Sequence, residues 1–246
     1  MLASSWVRFS SDLARRTGRY AWSRFATSEP LRVAPYPMAL YQEILESLRR
    51  SPRIWFVTAK SEAPRTRPNL VSLYLRHDLD QNLGALVEMA RVEMGCGIRS
   101  SIQMRVDGAD YEVESIADVL RDLKALGFEI GLHTQAYLGP EPEKAFAREV
   151  EVFERLLGGP PDSVSTHGIS LSATVIVKRW RFRWFLRRSG VPSAEILYQR
   201  VPTLASGDSA RLPRSGERYL DAGILRAPDC AGGSLALWLT HPCYWS

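Results

Sequence analysis

The run Asn69 to Asp80, NLVSLYLRHDLD, constrains the fold more than any other stretch of this chain. Its apolar part (Val71, Leu73, Tyr74, Leu75) breaks off into Arg76, His77, Asp78, Leu79 and Asp80. Such a run fits a parallel strand paired on both edges and covered on both faces. Side chains alternate along a strand, so Asp78 and Asp80 are expected on one face at its C-terminal end. Two carboxylates held a few ångströms apart repel unless a cation or a shared proton lies between them. A strand-end aspartate that caps the next helix accounts for one carboxylate, but not for two and a histidine.

From residue 69 onward the pattern alternates regularly. A helix is predicted over Asn82 to Met94, with Leu83, Leu86, Val87 and Ala90 at helical spacing and Gly95 past its end. The next strand is Ile98 to Val106, and Ser115 to Asp118 reads as a capping box. That helix turns Ile116, Val119, Leu120, Leu123 and Leu126 inward and stops at Gly127. Phe128 to Leu132 is a third strand, followed by a helix opened by Pro140 and Pro142 that carries Phe146, Val150, Phe153 and Leu157. Val164 to Thr166 is a fourth strand and Ser234 to Thr240 a last buried one, with a basic, aromatic helix over 172–188 between them. Upstream, Pro37 opens a helix with Met38, Tyr41, Ile44, Leu45 and Leu48 on one face, and Ile54 to Val57 is a short strand. Strand and helix in alternation predict an α/β fold with a parallel sheet, either open and doubly wound or closed as a barrel.

Composition narrows the setting. Of 246 residues, 45% are hydrophobic and 24% charged, as in ordinary globular proteins. The three cysteines, Cys96, Cys230 and Cys243, include no C-x-x-C pair, which argues against a disulfide framework or a structural zinc knot. No apolar window reaches the length of a bilayer span, and the first residues lack the apolar core and cleavage site of a secretory signal. The expectation is a cytoplasmic protein, with association at the inner face of the membrane as a variant. Residues 1–35 form a basic, aromatic N-terminal segment, with Arg8, Arg15, Arg16, Arg19 and Arg24 among Trp6, Phe9, Tyr20, Trp22 and Phe25. It either packs on the domain formed by 36–246 or makes a peripheral membrane contact. The helix over 172–188, with Trp180 and Trp184 among its arginines, is expected to serve the core or to stack on sugars, rather than to bind nucleic acid.

The chain has four histidines, His77, His133, His167 and His241, and each falls at the end of a predicted strand. In parallel α/β folds the C-terminal strand edge is where sites are built. One carboxylate and two imidazoles, with a position left open for water, are the donor set of a divalent metal. That leaves a second carboxylate to act as base and a further histidine to act as acid.

Six pieces in order carry a resemblance: RHDLD (76–80), GFEIGLHT (127–134), STHG (165–168), PSAEILY (192–198), YLDAG (219–223) and LTHPCYW (239–245). Together they resemble the NodB-like polysaccharide deacetylases, carbohydrate esterase family 4, in a divergent bacterial branch of WbmS type. The resemblance implies a distorted (β/α) barrel of about seven parallel strands with an N-terminal helical extension, and a site at its C-terminal face. It implies Asp78 as base and Asp80 as metal ligand, although Leu79 separates two residues that are adjacent in the family. His133 matches a metal ligand, no second histidine follows it at the family's spacing, and His167 is the natural replacement. His241 matches the acid, and Arg76, His77 and Asp221 are assigned to substrate binding. The activity implied is metal-dependent removal of an acetyl group from the nitrogen of an amino sugar in a glycan or lipid-linked saccharide, with Zn2+ as the expected ion. The alternative is a catalytically silent relative that binds glycans or acts as a scaffold in a surface-polysaccharide pathway. A reading of Asp78-Leu79-Asp80 as the motif of a phosphatase or nucleotide-sugar transferase leaves the histidines at three further strand ends without a role.

Overall fold

A computed structural model describes residues 36–60, 67–80, 84–106, 111–167, 173–189, 204–208, 210–211, 218–219 and 222–246. The segment 1–35, residues 61–66, the 192–198 motif and Asp221 lie outside the described residues. In chain order the elements are α1 (Met38–Arg49), β1 (Ile54–Val57), β2 (Val71–Leu79), α2 (Leu86–Gly95), β3 (Ser101–Met104), α3 (Val113–Ala125) and β4 (Glu129–Thr134). They continue as α4 (Pro142–Leu157), β5 (Val164–Thr166), α5 (Ala173–Arg188), β6 (Leu204–Gly207), β7 (Ala210–Arg211), β8 (Arg218–Tyr219) and β9 (Leu235–Thr240).

Seven of the strands form one sheet in the order β5-β4-β3-β2-β9-β6, with β1 also on β2, and every pairing in it is parallel. The long strand β2 is its centre. One edge pairs with β9 from Ser72 to His77, while the other is shared by β1 at its start and β3 at its end. With both edges paired and both faces covered, all nine residues of β2 are buried. Among the described residues the outer strands β5 and β6 are not paired with each other. The short β7 and β8 make a separate antiparallel ribbon.

The two faces of the sheet differ in chemistry, and that difference positions the site. On the helix-covered face, Val71, Leu73 and Leu75 of β2 meet Tyr41, Ile44, Leu45 and Leu48 of α1 and Trp238 of β9. Farther along, Ile102, Met104, Ile130, Leu132 and Val164 meet the apolar stripes of α3 and α4 and Phe182 and Leu186 of α5. Full burial of each such side chain contributes about 1.5–3 kcal/mol. The alternate residues face the other way. Near the β1 end they are apolar, with Val57, Tyr74, Leu235 and Leu237 in contact. Alongside the C-terminal half of β2 they are polar: Arg76, Asp78, Ser101, Gln103, Glu129, His133, Ser163 and Ser165, all buried.

Several boundaries differ from the periodic reading. Helix α2 is described from Leu86 and includes Gly95; the left-handed turn falls two residues later, at Gly97 with φ 70°. The strand expected over Ile98 to Val106 pairs only from Ser101 to Met104. The capping box at Ser115 does not form. Helix α3 has begun by Val113, and the Ser115 hydroxyl instead donates back to the Glu112 carbonyl at 2.6 Å. Leu126, expected inward, is 50% exposed because it follows the last helical residue and leaves the buried stripe.

Candidate metal centre

Strand alternation carries Asp78 to the polar face of β2, and Asp80 follows just beyond its end. His133 stands near the end of β4, and His167 follows β5 directly. The structure brings these ends together. Nε2 of His133 lies 3.4 Å from Asp78 Oδ2 and 3.4 Å from Asp80 Oδ1. Nε2 of His167 lies 3.4 Å from the same Asp80 Oδ1. One ligand atom from each of Asp80, His133 and His167 falls within 4.8 Å of the others. Side chains of His167 and Asp80 are 26% and 25% exposed, so the cluster opens to solvent on their side.

The donor chemistry fits a cation. Asp80 Oδ1 is buried, with the Nε2 atoms of His133 and His167 each 3.4 Å away. Burial drives the His133 imidazole down to about 4 against the pull of Asp78 and Asp80, so near neutral pH the ring carries no extra proton. Burial would raise Asp80, but the His167, His133 and His241 imidazoles outweigh it and hold the carboxyl well below its usual range. A tetrahedral ion with ligands at about 2.0–2.1 Å sets neighbouring ligand atoms about 3.3–3.4 Å apart. The two His–Asp80 separations, both 3.4 Å, match that edge. Asp80, His133 and His167 would hold such an ion.

Two further groups flank the cluster. Arg76 donates to both oxygens of Asp78, from Nε at 2.5 Å and Nη2 at 2.6 Å. Burial would raise Asp78, but the Arg76 guanidinium, then His133 and His241, hold its carboxyl below the usual range. On the other side, His241 follows β9 with Nε2 3.5 Å from Asp80 Oδ2. Its Nδ1 meets Asp208 Oδ1 at 2.8 Å, and Asp208 Oδ2 accepts from the His241 backbone N–H and from Trp245 Nε1, each at 2.8 Å. Burial alone would lower His241; the bond to Asp208 and the charges of Asp208, Asp78 and Asp80 raise it instead. Asp208 thus holds the ring by Nδ1 and raises its affinity for a proton, which suits an imidazole to proton transfer.

Of the residues singled out in the sequence, Asp78, Asp80, His133, His167, His241 and Arg76 therefore converge. His77 does not. It lies within β2 rather than at its end, on the face turned to the helices, buried against Glu93 of α2 at 2.6 Å and bonded to Thr240. Odd and even residues of one strand cannot reach the same face, and this separates His77 from Arg76 and Asp78. Asp221 lies outside the described residues.

The sequence reading missed Asp208 and Tyr137's contact. Asp208 follows β6, whose residues LASG carry no apolar run or period, so nothing local marks it. Tyr137 sits in a short 3-10 turn after β4, and its hydroxyl donates to the His167 carbonyl at 2.7 Å.

No protein-family profile matches the chain. No curated protein matches it either. Among solved structures, it is similar to the catalytic domain of a peptidoglycan N-acetylglucosamine deacetylase from Eubacterium rectale at 12% identity and TM-score 0.48, over 69% of this chain and 76% of that one. It is also similar to IcaB from Ammonifex degensii at 19% identity and TM-score 0.43, over 61% of this chain and 72% of that one. Neither superposition reaches a TM-score of 0.5, so the reading of the site rests on its own residues.

Proposed function

We propose that this chain is a metal-dependent hydrolase that removes an acetyl group from the nitrogen of an amino sugar in a glycan or glycolipid. One observation carries the hydrolytic part. The buried His133 Nε2 lies 3.4 Å from an oxygen of each of two carboxylates, with a second imidazole beside them and a base and an acid on either flank. Two carboxylates gathered this closely repel each other, and a cation between them relieves that repulsion. The choice of an N-acetylated sugar rests on the resemblance of the six sequence pieces to the NodB-like deacetylases.

With Asp80, His133 and His167 as ligands, a Zn2+ ion would supply Lewis acidity, lowering the pKa of water from 15.7 toward about 7. Asp78, kept ionised by Arg76, takes the proton of the water that attacks the amide carbon. His241, whose affinity for a proton Asp208 raises, gives its Nε2 proton to the nitrogen as the C–N bond breaks. Arg76 orients the base, and Asp208 orients the acid. On α5, Arg181, Trp184, Arg187 and Arg188 are exposed, which suits an anionic or membrane-proximal glycan.

Acetate release from N-acetylglucosamine oligomers by the purified protein, with Zn2+ and after chelation, tests the reading. Release that chelation stops and Zn2+ restores is expected. Stoichiometric metal without acetate release from any N-acetylated sugar supports a binding or scaffold protein instead. The acid can be checked separately with Asp208→Asn. Loss of the carboxylate lowers the His241 pKa, so the alkaline limb of kcat/KM moves to lower pH. The kcat falls by about 10²–10⁴, the range of general acid catalysis. An unmoved limb assigns the acid to another group.

A further inference from the structure

Beneath His133 the polar face of the sheet holds a buried column that the proposed chemistry does not use. Glu129, Ser101, Gln103, Ser163 and Ser165 are all buried, and four of them are fully sealed from solvent. The column begins at Glu129, which accepts from Ser101 Oγ at 2.6 Å and Ser163 Oγ at 2.7 Å through Oε1, and from the Lys60 backbone N–H through Oε2. Each serine hydroxyl has one proton, and both are committed to Glu129. Their lone pairs must then accept, and Gln103 Nε2 donates to both, each at 2.8 Å.

This settles which way the Gln103 amide points. Turned over, it would need the same two hydroxyl protons that Glu129 holds. Its carbonyl therefore faces Ser165, and Ser165 Oγ donates to Gln103 Oε1 at 3.1 Å. With its only proton spent there, Ser165 can meet His133 Nδ1, 2.7 Å away, only as an acceptor. His133 Nδ1 must carry the hydrogen, which leaves Nε2 as a bare lone pair toward Asp78 and Asp80.

We propose that Gln103, oriented by Glu129 through Ser101 and Ser163, is a positioning residue that fixes His133 through Ser165 as the Nδ1–H tautomer, with Nε2 free for a cation. The packing supports a built feature. Gly131 is the register partner of Gln103, and a Cβ there would lie 2.4 Å from Gln103 Nε2 and 2.5 Å from Oε1. The amide occupies the space where any other residue at 131 would place its side chain. Two neighbouring strands have thus exchanged a side chain for a hydrogen-bonding group aimed at the base of the site.

The consequence for cation affinity rests on the metal reading of the site; the consequence for the tautomer does not. The test is therefore made first on the metal-free wild-type protein, by ¹⁵N NMR of the histidine rings at neutral pH. His133 is expected as a single Nδ1–H tautomer. A predominant Nε2–H tautomer, or an even mixture, overturns the proposal even if the protein is an active metalloenzyme. Ser165→Ala and Gly131→Ala then break the chain at two points, one by removing the acceptor and one by displacing the Gln103 amide. In both, the His133 signal should shift toward Nε2–H while His241, tied to Asp208, keeps its own. Zn2+ affinity measured by chelator competition should weaken about 10–100-fold, the usual effect of losing an outer partner of a metal ligand. An unchanged His133 tautomer in both folded variants likewise overturns the proposal. If wild-type protein binds no Zn2+ at all, the metal reading fails and the tautomer result still stands on its own.

Discussion

Replacing Asp80 with alanine should abolish tight Zn2+ binding and, with it, hydrolysis. Its Oδ1 lies 3.4 Å from an imidazole nitrogen of each candidate histidine ligand, and it is buried. Removing it deletes a charged ligand, so affinity should fall by more than the ~10–100-fold lost when an outer partner is removed. Lewis acidity is worth several kcal/mol to the transition state. At 1.36 kcal/mol per decade, the loss in kcat/KM is about a thousandfold or more. A second readout does not depend on substrate. Metal at about 1,000 times its Kd stabilises a folded protein by ~4 kcal/mol, and the corresponding rise in Tm should vanish in the variant. A variant that keeps both its Zn2+ affinity and the rise in Tm removes Asp80 from the site.

The second large effect lies on the opposite face of β2 and should leave the site alone. Glu93 of α2 is fully buried, and its Oε1 takes the Tyr41 hydroxyl and His77 Nε2, each at 2.6 Å. His77 Nδ1 meets Thr240 Oγ1 on β9, so this cluster ties α1 and α2 to the two central strands. Glu93→Ala leaves a phenol and an imidazole without their acceptor in a sealed interior. Breaking a buried pair of this kind costs about 3–5 kcal/mol. Urea denaturation of the variant should show that loss, while Zn2+ affinity stays within about twofold of wild type. If the alanine variant does not fold, Glu93→Gln, which keeps one acceptor, should show a smaller loss of the same kind. A normal denaturation midpoint for Glu93→Ala, or a large loss of Zn2+ affinity in a folded variant, would contradict a structural role for the cluster and reopen one for His77 at the site.

His77 shows where reading by residue type stops. In the sequence it is the neighbour of Asp78 and one of a set of histidines placed at strand ends. In the structure, strand alternation sends it to the apolar face while Arg76 and Asp78 go to the polar one. The alternation was available from the sequence and already set His77 opposite Asp78; grouping it with the site followed residue type instead. The strand continues through His77 to Leu79 because β3 and β9 supply pairing partners for those residues. Asp208 is the converse case. Nothing around it repeats, yet the pairing of β6 with β9 sets it beside His241.

What the chain's one-dimensional pattern determined was the alternation of strand and helix, the parallel sheet it forces, and the residue types gathered at one sheet edge. Those follow from local periodicity, since buried strands and amphipathic helices leave a signature within a dozen residues. Tertiary structure alone decided which histidines share a space, that Asp208 backs His241, and that Gln103 lies across Gly131. The physical reason is that a hydrogen-bond network is satisfied by atoms brought together in space, and strand register sets those distances across gaps of tens of residues.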